Sequence, residues 1–199
     1  MSDADGRCRL WSEGFVRALA QAVWGLRVTG LERVPRSGAL LVACNHVSVV
    51  DAPLLAAAIG PARRPRFLGK KELFENPALD WFFRSAGCIP LDRGGADLGA
   101  MRTALAVLER GDSLAIFPEG TRVRPGESRP PKTGVAFLSA RTGAPVLPVC
   151  VRGTADFPWS RPFEVRFGAP LQAAQDEGRE AALAYARAVM DAVNSLLRI

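Results

Sequence analysis

The sequence predicts an α/β domain with a largely parallel central sheet flanked by helices. Short apolar runs, typical of buried strands, alternate along the chain with longer segments of helical periodicity. The composition agrees with this fold class. Of the 199 residues, 48% are hydrophobic and 23% are charged, as expected for a globular domain with a sizeable core.

The first predicted element is an amphipathic helix from Leu10 to Leu26. Its apolar residues, among them Phe15 and Leu19, share one arc, while Arg17 faces away from it. This pattern fits either a helix packed on the core or a helix at a membrane interface. We therefore divide the chain into residues 1–28, an amphipathic helix that is a candidate for membrane contact, and residues 29–199, the main domain.

Strands and helices then alternate to the end of the chain. The predicted strands are Ala39–Cys44, Arg66–Leu68, Cys88–Leu91, Ser113–Phe117, Val146–Val151 and Phe163–Phe167. The further predicted helices are Asp51–Ile59, Asn76–Arg84, Ala96–Arg110, Lys132–Thr142 and Glu177–Leu197. Ligands of open α/β sheets bind beyond the carboxyl ends of the strands, so polar residues that follow the strands are the candidate site.

His46, the only histidine, follows the first buried strand directly, and Asp51 lies five residues further on. A neutral imidazole can take a proton from an attacking hydroxyl when a carboxylate orients its other nitrogen. In one continuous helix that spacing separates two side chains by about 140°. The pair can therefore meet only if His46 lies on a turn and Asp51 begins the next helix. The alternative is a structural histidine that caps a helix or fills a polar gap.

No strong enzyme nucleophile accompanies this pair. The chain has no G-x-S-x-G motif, Ser48 lies only two residues from His46, and Cys44 belongs to a buried strand. The histidine would therefore activate the hydroxyl of an acceptor directly, without a covalent intermediate.

Two further segments carry charge at strand ends. Phe117–Arg122 contains a glycine that permits a tight turn, followed by Thr121 and Arg122, which can bind a phosphate. The alternative is an exposed turn without a ligand. Gly87–Arg93 ends in a second arginine. A basic cluster between positions 63 and 71 is either a solvated face, a headgroup patch or a track for an anionic donor.

The net charge of +6 and the pI of about 9.8 favour an anionic partner. A nucleic acid is disfavoured because the chain has no recognised nucleic-acid-binding motif. The four cysteines form no C-x-x-C pair, which argues against a zinc ribbon or redox motif and favours a reducing compartment. The most apolar run, Ala39–Val50, is shorter than the about 20 residues that span a bilayer.

Four ordered segments resemble the glycerolipid acyltransferases typified by 1-acylglycerol-3-phosphate acyltransferase. The first block of that family, N-H-x-S-x-x-D, matches Asn45–Asp51, and the third, F-P-E-G-T-R, matches Phe117–Arg122. The second block matches Gly87–Arg93, with Pro90 where the family usually has an aromatic residue. The fourth, an apolar strand with proline, matches Ala144–Val149.

The resemblance implies a fold like that of glycerol-3-phosphate acyltransferase and a role for each matching residue. His46 would be the general base and Asp51 its partner, and residues 29–199 would be the catalytic domain. The implied substrate-binding residues are Arg93, Glu119, Gly120, Thr121 and Arg122 at the acceptor phosphate, with Asn45, Ser48 and Lys70 as further candidates.

The implied reaction moves a fatty acyl group from acyl-CoA or acyl-carrier protein to the free hydroxyl of a lysophospholipid. The first candidate acceptor is 1-acyl-sn-glycerol-3-phosphate, which would yield phosphatidic acid. We expect no metal, no redox cofactor and no nucleic acid, and a cytoplasmic protein held peripherally at the inner face of the cell membrane. The alternatives are another lyso-lipid acceptor, a hydrolase using the same pair, and a non-catalytic phospholipid-binding protein on the same fold.

Overall fold

The computed structural model describes residues 3–60, 62–91, 98–124, 126–175 and 178–198, with side chains from Gly14 onward except Ser85 and Leu98. The helices are α1 (Asp3–Trp24), α2 (Asp51–Ile59), α3 (Pro77–Ser85), α4 (Leu98–Glu109), α5 (Gly134–Thr142) and α6 (Arg179–Arg198). The strands are β1 (Arg27–Thr29), β2 (Leu40–Cys44), β3 (Arg66–Lys70), β4 (Cys88–Leu91), β5 (Ser113–Ile116), β6 (Val146–Arg152) and β7 (Glu164–Phe167). Short 3₁₀ turns lie at Leu31–Arg33 and Lys71–Phe74.

Within the described residues, the strands form one sheet in the order β1-β7-β6-β2-β5-β3-β4. The five strands from β6 to β4 run parallel to one another. β7 pairs antiparallel with β6, and β1 pairs parallel with β7. The predicted α/β fold with a largely parallel sheet is therefore confirmed, and β2 lies between β6 and β5.

Both faces of the sheet are covered, because the side chains of β2 alternate between two apolar clusters. Leu40, Val42 and Cys44 face the side of α1 and α2, while Leu41 and Ala43 face the side of α4, α5 and α6. All five of these side chains are fully buried. A strand buried on both faces reads as a continuous apolar run, and the sequence shows this pattern at β2.

Most predicted elements form within a few residues of their expected bounds. α2 and β4 have the predicted limits, whereas β1 was not predicted. The predicted first residues of α4 and α6, Ala96 and Glu177, lie outside the described residues. The division of the chain at residue 28 stays a prediction, and that position lies within β1.

The structure shows which side of α1 packs on the protein, a point that the sequence left open. Its Arg17 side chain, predicted to face away from the apolar arc, donates a hydrogen bond to the Ala58 carbonyl of α2, and Ala20 is buried. Phe15 and Leu19 are exposed instead, so α1 packs along a different stripe and leaves part of its apolar arc uncovered. None of the helices in the described part of the chain combines the length and apolarity needed to span a membrane.

Candidate active site

The candidate site lies at the carboxyl ends of three neighbouring strands of the sheet. His46 follows β2, Glu119 and the turn around it follow β5, and Thr154 follows β6. Because these strands are parallel and adjacent, their ends meet at one edge, where ligands of open α/β sheets bind. The topology thus brings together segments that are far apart in the sequence.

His46 and Asp51 meet across the turn between β2 and α2. Asp51 is the first residue of α2, and its Oδ2 lies 3.0 Å from Nδ1 of His46. The same oxygen accepts the backbone N–H groups of Val47 and Ser48, each at 2.7 Å. Through these three bonds the carboxylate holds both the imidazole ring and the turn that carries it. Asp51 is fully buried, so water does not compete for these bonds. This is the strand–turn–helix arrangement that the spacing requires.

The Phe117–Arg122 turn holds His46 in place from the other side. The His46 N–H donates to Oε2 of Glu119 at 2.7 Å, and the His46 carbonyl accepts the Val123 N–H at 2.8 Å. The Phe117 ring stacks on the imidazole with ring centroids 4.1 Å apart. No group among the described residues bonds to Nε2, so this nitrogen is the one available to a substrate, and the side chain is 20% exposed.

Two predicted substrate-binding residues, Asn45 and Glu119, form hydrogen bonds to backbone groups. The Asn45 amide donates to the Val151 carbonyl and accepts the Val151 N–H, and Asn45 is 5% exposed. The Glu119 carboxylate holds the backbone of His46, as described above, and burial raises its pKa. These contacts give both residues a part in positioning the backbone at the site, and their assignment to the substrate stays a prediction.

The exposed part of the turn carries the predicted anion-binding groups. Gly120, Thr121 and Arg122 are all exposed. Gly120 has a φ of +73°, and the side chain of Lys132 passes so close that a Cβ at Gly120 would lie 3.1 Å from its ammonium nitrogen. Lys132 also donates its N–H to the Pro118 carbonyl. A lysine that the motif does not contain therefore adds positive charge at Gly120, in the same turn as Arg122.

The basic cluster of the sequence does not form one patch. Arg63 precedes β3 and donates to the carbonyls of Pro35, Gly38 and Gly111, which ties loops together at the amino end of the sheet. Lys70 ends β3 and is exposed at the opposite, carboxyl edge. Only this end of the cluster shares an edge with His46.

Two predicted substrate-binding residues remain, Ser48 and Arg93. Ser48 is 8% exposed and contributes its backbone N–H to Asp51. Arg93 lies outside the described residues.

Thr154 is the residue at this site that the sequence did not point to. Its hydroxyl donates to Oδ1 of Asp51 at 2.6 Å, and its exposed fraction is 0%. The two residues are 103 positions apart, so no local motif links them. The available signal is its position just after a buried parallel strand, where the sheet topology directs it toward the end of β2.

An apolar cavity of about 600 Å³ opens beside the site, between α1, α2, α3 and the loop before β7. Val50, which directly precedes Asp51, and Pro53, two residues after it, both line this cavity. Trp24 closes one end, where it stacks on Phe163 and donates to the Pro158 carbonyl. Its size lies in the range of small-molecule sites, and its walls suit an aliphatic chain.

Among the described residues, no three or more His, Cys, Asp or Glu side chains lie close enough together to hold a metal ion. The expectation that the protein needs no metal and no redox cofactor stays a prediction.

Comparison with known proteins decides the family. The acyltransferase family model matches residues 25–152, more than half of the chain. The chain belongs to the acyltransferase family. A relative of this chain is the 1-acyl-sn-glycerol-3-phosphate acyltransferase of Bacillus subtilis, with 30% identity over 129 residues. Another is the lyso-ornithine lipid O-acyltransferase of Pseudomonas aeruginosa, with 38% identity over 147 residues.

These alignments cover 65% and 73% of this chain but only 63% and 54% of the two relatives. The fold resembles the crystal structure of the 1-acyl-sn-glycerophosphate (LPA) acyltransferase PlsC from Thermotoga maritima, with a TM-score of 0.72 and 25% identity. That match covers 98% of this chain and 83% of the other. The resemblance noted in the sequence is thereby confirmed, while the roles of individual site residues stay predictions.

Proposed function

We propose that the protein transfers a fatty acyl group from acyl-CoA or acyl-carrier protein to the free hydroxyl of a lysophospholipid, with 1-acyl-sn-glycerol-3-phosphate as the first candidate acceptor. The observation that carries this proposal is the His46–Asp51 pair, in which Nε2 has no partner among the described residues. The turn that contains Arg122 bonds to the His46 backbone through Glu119, and Val50, next to Asp51, lines the apolar cavity. A base, an anion grip and a site for an aliphatic chain are the three features that such a transfer needs.

His46 acts as the general base in the proposed reaction. Its Nδ1–H donates to Asp51, so Nε2 carries the lone pair that accepts the proton of the acceptor hydroxyl. The hydroxyl oxygen attacks the thioester carbonyl carbon and forms a tetrahedral intermediate. When the C–S bond breaks, Nε2 donates this proton to the departing thiolate, which leaves an ester, a free thiol and a neutral histidine.

The transfer is direct, because the described cysteine thiols are unsuited to form an acyl-enzyme. Burial raises the pKa of the Cys88 thiol to about 11 and that of Cys150 to about 12, and it raises the pKa of Cys44 as well. A nucleophilic cysteine needs a lowered pKa, since the thiolate is the reactive form. These three thiols stay protonated near pH 7.

The acceptor phosphate binds at the exposed turn, where Arg122 and Lys132 supply charge and Thr121 a hydroxyl. An arginine can bind a phosphate through two parallel hydrogen bonds, while a lysine acts as a point charge. Arg122→Gln should raise the KM for lysophosphatidate about tenfold or more, as expected for loss of a hydrogen bond to a charged group. Arg124→Gln is the matched control, because Arg124 is equally exposed two residues further on.

The acyl chains reach the site from a membrane surface. Phe15, Leu19, Trp81 and Phe157 line the cavity and are between 39% and 68% exposed. Trp159, on the same loop as Phe157, is 87% exposed. A patch of large apolar side chains on a protein of net charge +6 suits an anionic bilayer, where tryptophan favours the headgroup level.

A second acceptor, a lyso-ornithine lipid, is favoured by one observation. The Pseudomonas aeruginosa relative named for that acceptor shares 38% identity with 73% of this chain. An ornithine lipid carries no phosphate, so Arg122→Gln should then change the KM for that acceptor little.

Acyl transfer to a panel of acceptors tests the proposal. The protein is incubated with labelled acyl-CoA or acyl-carrier protein and with lysophosphatidate, lyso-ornithine lipid or no acceptor. Acceptor-dependent formation of phosphatidic acid supports the proposal. Release of free fatty acid at the same rate without an acceptor would make the protein a hydrolase, and lipid binding without turnover would make it a binding protein.

A further inference from the structure

The two oxygens of the Asp51 carboxylate are held in different ways. Oδ2 accepts three hydrogen bonds, from the His46 ring and the backbone of Val47 and Ser48. Oδ1 has a single partner among the described residues, the hydroxyl of Thr154. Asp51 and Thr154 both have an exposed fraction of 0%, so bulk water cannot replace that bond.

The bond to Oδ1 controls the rotation of the carboxylate plane. The terminal torsion of an aspartate has broad minima, so packing alone does not fix it well. At 2.6 Å, the contact from Thr154 has the length of a hydrogen bond between a hydroxyl and a charged carboxylate. With Oδ1 anchored, Oδ2 is directed toward Nδ1 of His46.

The backbone on the N-terminal side of Thr154 is held by close packing and by hydrogen bonds. It follows Gly153, which has a φ of +85°, and a Cβ there would lie 2.3 Å from the carbonyl oxygen of Pro162. Three residues earlier, Val151 is bonded in both directions to the amide of Asn45. The end of β6 is therefore tied to the His46 turn at two points, of which the Thr154 bond is the one that reaches the catalytic pair.

We propose that Thr154 is a positioning residue that acts through Asp51 to hold the His46 imidazole in its reactive tautomer and orientation. The inference rests on the proposed function, since it assigns Thr154 a part in the same proton transfer. Thr154 does not contact the substrate, so its loss should lower kcat and leave the KM values for donor and acceptor nearly unchanged.

The chain offers a direct spectroscopic test, because His46 is its only histidine. The ¹⁵N and ¹H signals of the single imidazole report which nitrogen carries the proton and how strongly Nδ1–H is bonded. In wild type and Thr154→Ser we expect one tautomer protonated at Nδ1, with a downfield proton signal. In Thr154→Val we expect a mixture of tautomers or loss of that signal by exchange.

Kinetics complete the test. Thr154→Val should lower kcat about 10- to 100-fold, the effect expected for loss of a hydrogen bond to a charged group, and Thr154→Ser should restore it to within a few-fold of wild type. Ser139→Ala is the matched control. The Ser139 hydroxyl is also fully buried and bonded, to the Ala144 carbonyl and the Ala174 N–H, but its partners lie away from the site. This control should lose stability and keep kcat.

The spectrum requires no substrate and separates the two proposals. An altered His46 spectrum in Thr154→Val supports the positioning role even if no acyl transfer is found for the wild type, which would overturn the proposed function alone. An unchanged spectrum together with an unchanged kcat would overturn the role of Thr154. If Thr154→Val does not fold, Thr154→Ala, which removes the hydroxyl without added bulk, is read by the same criteria.

Discussion

Replacement of Asp51 by asparagine is the most informative perturbation of the pair, because it removes the charge and keeps the shape. The amide oxygen can accept the three hydrogen bonds that Oδ2 now accepts, and the amide nitrogen can donate to the Thr154 oxygen. The imidazolium formed during transfer then faces a neutral group. General-base catalysis contributes about 10²- to 10⁴-fold. We expect kcat to fall within that range, which corresponds to about 2.7 to 5.4 kcal/mol.

Stability should change much less than activity in Asp51→Asn. Hydrogen bonds to a charged group are roughly twice as strong as neutral ones, but burial of the charge itself is costly. The two effects oppose each other, so the free energy of unfolding should change by no more than about 2 kcal/mol. Urea unfolding and steady-state kinetics with saturating lysophosphatidate measure both quantities. An Asp51→Asn variant that keeps at least half of the wild-type kcat would refute the assigned role of Asp51.

Three further predictions follow from burial and exposure. Because burial raises the pKa of Glu119, the folded protein binds more protons than the unfolded chain above the usual value of 4.5. The unfolding free energy of wild type should therefore fall relative to Glu119→Gln as the pH rises from 4 to 7, and a rise in urea titrations would contradict this. Phe15→Ser with Leu19→Ser should reduce sedimentation with anionic liposomes. Phe137→Ser should not, because Phe137, as exposed as Leu19, lies on α5 at the other face of the sheet; equal losses would contradict a specific surface. In a Cys8→Ser variant, alkylation of the buried or half-buried thiols at pH 7 should be slow in the folded protein and fast in the unfolded chain; these thiols are Cys44, Cys88 and Cys150. Rapid labelling of the folded protein would contradict their raised pKa.

The elements that the sequence predicts well are those whose signal is local. α2 and β4 have the predicted bounds because an apolar run or a helical stretch between turn residues marks each of them. β1 was missed because three residues, Arg27 to Thr29, show no periodicity. They become a strand only by pairing with β7, which lies near the other end of the chain.

The same distinction applies to the site. The contact between His46 and Asp51 follows from a spacing of five across a turn, whereas the bond from Thr154 depends on the tertiary placement of β6 beside β2. The assignment of Asn45 and Glu119 to the substrate stays a prediction, because a motif shows only which residue types lie together. It does not show which of their atoms bond to backbone.

The sequence left the packed side of α1 open for a related reason. An apolar arc on a helical wheel does not show whether protein or membrane covers it. In the structure, Ala20 is buried and Arg17 bonds to α2, while Phe15 and Leu19 stay open beside the cavity.

Direct acyl transfer from donor to acceptor, with His46 as the general base, is the central claim, and one measurement tests it best. Labelled acyl-CoA is mixed with wild type or His46→Ala, with and without lysophosphatidate, and CoA release, lipid product and the intact mass of the protein are followed together. Wild type should release CoA only with the acceptor, in step with phosphatidic acid and without an acyl adduct on the protein, and His46→Ala should be inactive while still folded. Undiminished turnover by His46→Ala, or a stoichiometric acyl adduct formed by wild type before the acceptor is added, would contradict the claim.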